Sequence, residues 1–286
     1  MEIAIIDAHS PDAPQAFSRA LIDTGFTVLA NHPIDPAVLV EVRQAWMEFF
    51  ASSDAVKNEY IPPVGAQDGF HPLSESETAV GAQVRDLKEF FHWYPWGRTP
   101  ASVAEPTRRL FDAAAGFATT LLGWLAANLP AAATSGLEVP LPDLLDNARR
   151  TMLRVAHYPP LPDELPLGAM RAAPHEDVNL LTVLPASDQA GLQVLDRLGV
   201  WLDVPNDPGT VTINAGDMLQ LLTGGVIRSG THRVVNPQGV DARQGRLSTP
   251  LFLHPTDDAV LAPGVTAFAF LRDRIREIRG IDLTPS

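Results

Sequence analysis

The amphipathic rhythm of the chain changes near residue 150, and that change limits the folds open to it. Before it, apolar residues recur at helical spacing. Ala13–Thr24 reads as a helix that Gly25 can stop, and Phe26–Ala30 as a short strand. Pro36–Phe50 reads as a helix with proline at its first position, and Pro106–Leu129 as a long helix. Residues 61–85 are rich in Pro, Gly, Ser and Glu and read as an irregular surface segment, a candidate lid; Lys88–Tyr94 is densely aromatic. From Thr151 the chain becomes a series of short strands with Gly, Pro and Asn breaks: MLRVAHY, NLLTVLP, GLQVLD, VWLDVP, TVTINAGDML, THRVV and LSTPLFLHP. Val265–Arg279 closes the chain as a helix whose alternating Arg, Asp and Glu suggest a solvated face. The expected fold is mainly β with flanking helices. A double-stranded β-helix, the jelly-roll or cupin-like arrangement, would occupy residues 151–286, and a mainly helical region, residues 1–150, would pack on it.

The 286 residues suffice for one large core, and 45% hydrophobic with 19% charged residues is the balance of a globular enzyme. A formal net charge of −13 disfavours nucleic acid and anionic membrane surfaces as partners. With no cysteine, disulfides, thiolate metal sites and Cys nucleophiles are excluded, so any metal must be held by His, Asp and Glu. The start, Met1 to Asp7, lacks the basic and apolar regions of a signal peptide. Leu110–Leu129, the most apolar stretch, is diluted by Asp112 and by Ala, Gly and Thr, and reads as a core helix rather than a membrane span. The expected location is the cytoplasm.

His175-Glu176-Asp177 is an H-x-D. In extended backbone, residues two apart point to one side, so His175 and Asp177 can reach one ion while Glu176 points away. His232, 57 residues downstream in THRVV, lies several strands later and can return beside them. Two histidines and a carboxylate make a facial set that leaves coordination positions open for dioxygen and a chelating keto acid. The same residues suit a zinc hydrolase, and an isolated H-x-D also suits a surface loop.

Arg246-Leu247-Ser248 follows fourteen residues after His232. The two-residue period puts Arg246 and Ser248 on one face, a guanidinium fork and a hydroxyl matched to a carboxylate such as the distal one of 2-oxoglutarate; an exposed sheet edge is the plain alternative. Tyr158, in AHYPPLP, either donates to the same carboxylate or packs in the core. Asn179, Leu181, Phe252 and His92 are candidates for the substrate wall, with ordinary packing as the alternative. Gly216 and Asp217 read as a turn, and His32 as a residue that satisfies backbone. His71 and His254 have no partner pattern.

In order and spacing, LRVAHYPP, APHEDVNLLTVLP, GLQVLD, VTINAGDMLQ, RSGTHRVVNP and RLSTPLFLHP resemble the isopenicillin N synthase-like family of iron(II) and 2-oxoglutarate-dependent oxygenases. ALIDTGFTVLANHPI, KNEY, DGFHP and RDLKEFFHW resemble that family's N-terminal region, so the resemblance covers nearly the whole chain. It implies that His175, Asp177 and His232 ligate Fe(II), and that Arg246, Ser248 and Tyr158 bind the keto acid. It implies oxidation of a small molecule by O2, by hydroxylation or desaturation, with release of succinate and CO2, in a monomer or weak homo-oligomer. Ala156 and His157 stand where the family has Asn and Tyr, which removes one hydrogen bond to the keto acid. Some members dispense with 2-oxoglutarate yet keep the R-x-S, and a non-catalytic ligand-binding barrel is a reading of another class.

Overall fold

The computed structural model describes residues 2–76, 84–134, 136–145, 148–280 and 282–283. The candidate lid at 61–85 therefore falls partly outside the described residues. Within it, Gly69–His71 is a strand that the Pro- and Gly-rich composition concealed.

The chain begins with strand β1 (Ile5–Asp7), helix α1 (Ala13–Thr24), β2 (Phe26–Ala30), α2 (Pro36–Phe50) and α3 (Asp54–Asn58). Then come β3 (Gly69–His71), β4 (Glu89–Trp93), α4 (Ala101–Asn128) and the single turn α5 (Ala131–Thr134). Gly25 ends α1 at φ 75°, and its N–H donates to Leu21 O. A Cβ there would meet Arg228 O at 2.5 Å, so glycine is required for both reasons. Asp35 caps α2 by accepting from Ala37 N, with Pro36 in the first position. Helix α4 starts five residues before the expected Pro106. The missing proline N–H orphans only the carbonyl of Ser102, an exposed residue that water can reach.

The remaining strands are β5 (Met152–Tyr158), β6 (Ala172–His175), β7 (Leu181–Pro185), β8 (Leu192–Leu195), β9 (Trp201–Asp203) and β10 (Thr210–Ala215). Helix α6 (Asp217–Leu222) precedes β11 (His232–Val234), β12 (Arg246–Ser248), β13 (Leu251–Leu253), β14 (Val260–Ala262), β15 (Val265–Thr266) and α7 (Ala267–Arg279). The expected strand TVTINAGDML thus stops at Ala215. Gly216 sits at the N-cap of α6, and a Cβ on it would lie 2.2 Å from Asn179 O, so only glycine fits where the strand gives way to the helix.

The main sheet runs β1-β2-β10-β7-β13-β5-β4-β3, with β12 also paired to β5; a second sheet runs β6-β11-β8-β9. All described pairs are antiparallel except β1 with β2. This is a double-stranded β-helix. The first 150 residues do more than pack helices on it: β2 pairs with β10, and β4 with β5, inside the same sheet.

Alternation along the main sheet sorts its two faces. Leu153, Val155, Leu181, Val183, Val211, Ile213, Leu251 and Leu253 are buried in one core cluster with residues of α1, α2 and α4. A bond of 2.8 Å from Trp46 Nε1 to Thr107 Oγ1 joins α2 to α4 inside that cluster. Helix α4 is long and apolar enough to cross a membrane by length and composition, but Leu110, Ala114, Leu121 and Leu125 bury its stripe here. On the opposite face Arg154, Ala156, Thr182, Asn214 and Phe252 line a cavity that β6, β8 and β11 of the second sheet also line. The candidate residues His175, Asp177, His232, Arg246, Ser248 and Tyr158 stand between the two sheets.

Candidate metal centre and its cavities

His175 ends β6 and His232 begins β11, and the two lie directly opposite in the antiparallel register. Their rings approach to 4.3 Å between centroids. Asp177 follows two residues after His175, in a loop pinned by Asp217 N donating to Asp177 O at 2.7 Å. Its Oδ1 lies 4.0 Å from His175 Nε2 and 3.8 Å from His232 Nε2. One donor atom from each residue falls within 4.8 Å of the others, the one such group found among the described residues.

The other side of every donor is occupied. His175 Nδ1 bonds Ala173 O at 2.8 Å and His232 Nδ1 bonds Gly230 O at 3.0 Å. A carbonyl only accepts, so each Nδ1 carries the proton and each Nε2 presents a lone pair. Asp177 Oδ2 accepts from Thr182 Oγ1 at 2.5 Å and Asn214 Nδ2 at 2.8 Å. Phe26 packs edge-on to His232 at 5.4 Å. Burial opposes ionisation of Asp177, but the two imidazoles and these hydrogen bonds outweigh it and hold the carboxyl below its usual range. Burial, with the neighbouring His232, pushes His175 down to about 4. Two imidazoles that each turn Nε2 toward the site and one carboxylate, already oriented, fit a divalent first-row cation.

A small cavity of about 60 Å³ leads from the triad to Arg246, Ser248 and Tyr158. Arg246 and Tyr158 are direct partners across β12 and β5. The Arg246 guanidinium carbon lies 5.2 Å from the Tyr158 ring centroid, and its Nε donates to Ser187 Oγ at 3.0 Å. Its Nη1 is buried and has no partner. A buried, unpaired guanidinium N–H is costly, so a carboxylate ligand fits this end of the cavity.

Two family models match the chain: the 2OG-Fe(II) oxygenase superfamily over residues 150–255, and the non-haem dioxygenase in morphine synthesis N-terminal region over residues 3–110. Flavanone 3-dioxygenase 2 of Oryza sativa subsp. japonica is 31% identical over 275 residues, 91% of this chain and 76% of that protein. The chain belongs to the 2OG-Fe(II) oxygenase superfamily. A provisional oxygenase of Shewanella oneidensis superposes with a TM-score of 0.87 at 42% identity, covering 97% of this chain and 98% of that one. A full-length Neurospora crassa protein, solved in complex with alpha-KG and 5-formyluracil, shares the fold at TM-score 0.77 and 22% identity, covering 96% of this chain and 95% of that one. The protein is a non-haem Fe(II)/2-oxoglutarate-dependent dioxygenase, an oxidoreductase acting on a small molecule.

A larger cavity of about 360 Å³ opens on the other side of the triad of this oxygenase. His92 and Phe252, two of the candidates for the substrate wall, line it. His92 Nδ1 bonds Gln67 O at 3.0 Å, and Arg154 Nε donates to His92 Nε2 at 3.0 Å. Asn179 reaches the same wall, but its amide is committed to Leu181 O and Thr182 Oγ1. Leu181 is a correction. It is fully buried in the core, because strand alternation turns Thr182 and not Leu181 toward Asp177 and the cavity. His32 Nδ1 accepts from Ile34 N, a backbone role as expected. Asp217 opens α6 and pairs with Arg274 at 3.5 Å.

Sequence reasoning passed over several wall residues. Arg154 shares the inward face of β5 with Ala156 and Tyr158, a period that would have flagged it. Its guanidinium sits 4.7 Å from the Phe90 ring and 5.2 Å from Phe252. His254 is buried on the cavity wall, and burial pushes it down to about 4. Helix α7, read as a solvated face, instead presents Leu271, Arg274, Ile275 and Ile278 to the cavity.

Proposed function

We propose that His175, Asp177 and His232 hold the Fe(II) of this dioxygenase, and that Arg246, Ser248 and Tyr158 seat the distal carboxylate of 2-oxoglutarate. The buried, partnerless Nη1 of Arg246, in a cavity continuous with three converging donors, carries this reading. When bound, iron and keto acid supply O2 activation coupled to decarboxylation to succinate and CO2. The chain's own residues set the stage. Backbone carbonyls fix both imidazole tautomers, Thr182 and Asn214 aim Asp177, and Ser187 orients Arg246. The substrate enters the larger cavity, where Phe252, Met152, Leu271, Ile275 and Ile278 give an apolar wall that excludes water above the triad. Hydroxylation or desaturation of a small molecule follows from a C–H bond placed there.

The net charge of −13 supports action without nucleic acid or an anionic membrane surface, and a cytoplasmic monomer or weak homo-oligomer completes the proposal. The test couples succinate formation to a substrate screen. Arg246→Ala should raise the KM for 2-oxoglutarate at least about tenfold, the loss of one charge-assisted pair. An unchanged KM would remove Arg246 from the site.

A further inference from the structure

Arg171 is fully buried just before the metal loop, in the segment leading into β6. Its Nη1 donates to Gln189 Oε1 at 2.6 Å and its Nη2 to Gln244 O at 3.3 Å, while its Nε is buried without a partner. The guanidinium carbon lies 5.8 Å from the centroid of Tyr158, the ring that Arg246 approaches to 5.2 Å. Tyr158 therefore lies in contact with two buried cations. The loop after β7 holds both: Ser187 takes Arg246, and Gln189 takes Arg171. Among the described residues neither guanidinium has a carboxylate in salt-bridge contact, and the nearby Asp188 pairs with Arg43 instead. Burial, and then the like charge of Arg246, lowers Arg171 to about 10, still well above neutral pH, and burial lowers Arg246 as well; a guanidinium nonetheless keeps its proton in a protein.

Asp188 attracts both guanidiniums only from a distance, so two like charges taken out of water still lack a contacting counter-ion that an anionic ligand would supply. The π face of Tyr158 offsets only part of this. We propose that Arg171 is a second cation of the keto-acid end of the site, a positioning residue that acts through Tyr158 and by its field to select keto acids with a distal carboxylate. This rests on the assignment of Arg246, Ser248 and Tyr158 to that end. Arg171 itself touches no ligand here. It holds the phenol and reinforces the potential that the second carboxylate meets.

The experiment titrates N-oxalylglycine and, separately, 2-oxobutanoate into the Mn(II)-loaded protein by calorimetry. Arg171→Met should weaken N-oxalylglycine about tenfold, the effect of one cation several ångströms away at an effective dielectric near 20. Mn(II) affinity and 2-oxobutanoate affinity should each change less than about twofold, because neither meets the distal pocket. Arg171→Lys should stay within about threefold of wild type, and Arg171→Gln should behave like the methionine variant. These two decide the matter if the methionine variant fails to fold. Unchanged N-oxalylglycine binding in Arg171→Met or Arg171→Gln overturns the proposal, as does an equal loss for 2-oxobutanoate, which marks a merely structural residue. Wild-type protein that loads Mn(II) yet binds no N-oxalylglycine overturns the keto-acid site itself, and this proposal with it.

Discussion

Asp177 stays ionised where burial alone would favour its neutral form, because four neighbours prefer the charge. His254 shows the opposite outcome. It is only 7% exposed, and its Nδ1 bonds Phe252 O at 3.1 Å, but burial pushes it down to about 4 against an ordinary value of 6.5. The folded protein therefore holds His254 neutral while the unfolded chain takes up a proton below pH 6.5. Between pH 6.5 and 4 the unfolded state binds more protons, so stability is full above this window and is lost as pH falls through it. The linkage bound is on the order of 3 kcal/mol for one such group. His175 shifts the same way, though its side chain is 33% exposed and solvent screens it more. Metal-free protein should lose denaturation midpoint steadily from pH 6.5 to 4, and His254→Asn should flatten that slope by close to one proton. An identical slope in the variant would show that His254 is hydrated or protonated in the fold.

At the scale of elements, the site is a product of strand alternation. On β5, Arg154, Ala156 and Tyr158 face the cavity and Leu153 and Val155 face the helices, from one seven-residue segment. Helix α7 supplies Leu271, Arg274, Ile275 and Ile278 to the wall of the large cavity. Thr266 caps it by accepting from Ala269 N at 3.3 Å, Ala267 and Leu271 are buried, and Arg274 ties it to Asp217. Thr266→Ala should cost about 1 kcal/mol, the usual loss of a side-chain cap. Amide exchange should quicken across Ala267–Arg279 and stay unchanged in β7 and β10, and an even change across the chain would contradict this. The strands and the H-x-D, His232 and R-x-S residues were legible because period-two patterning and residue chemistry are local. The role of α7 was not, because its Arg and Glu residues conceal Leu271, Ile275 and Ile278, whose target lies far away in sequence. Arg171 was equally hidden. Nothing adjacent to it announces a buried cation, and only the approach of Gln189, Gln244 and Tyr158 reveals one.

For the whole molecule, the division near residue 150 describes composition better than it describes folding. Strand β10 needs β2 on one edge and β7 on the other, and β5 needs β4. Removing residues 1–150 would strip those pairings and expose the face of Val155, Val183, Val211, Ile213 and Leu251 that now packs under α1, α2 and α4. Each such side chain contributes about 1.5–3 kcal/mol on burial, against a net domain stability of about 5–15 kcal/mol. The expected outcome is that residues 151–286 alone give no cooperative thermal transition, while the full chain unfolds in one step by both near- and far-UV circular dichroism. The residues proposed to hold the metal and the keto acid lie between the two sheets, so ligand binding should stabilise that single unit as a whole. Mn(II) with N-oxalylglycine at about a hundred times its Kd should add about 2.7 kcal/mol by mass action, moving the entire transition together. A first phase from the N-terminal helices that melts early and does not shift with ligand would show two independent domains, and would assign the β2–β10 and β4–β5 pairings a minor energetic part.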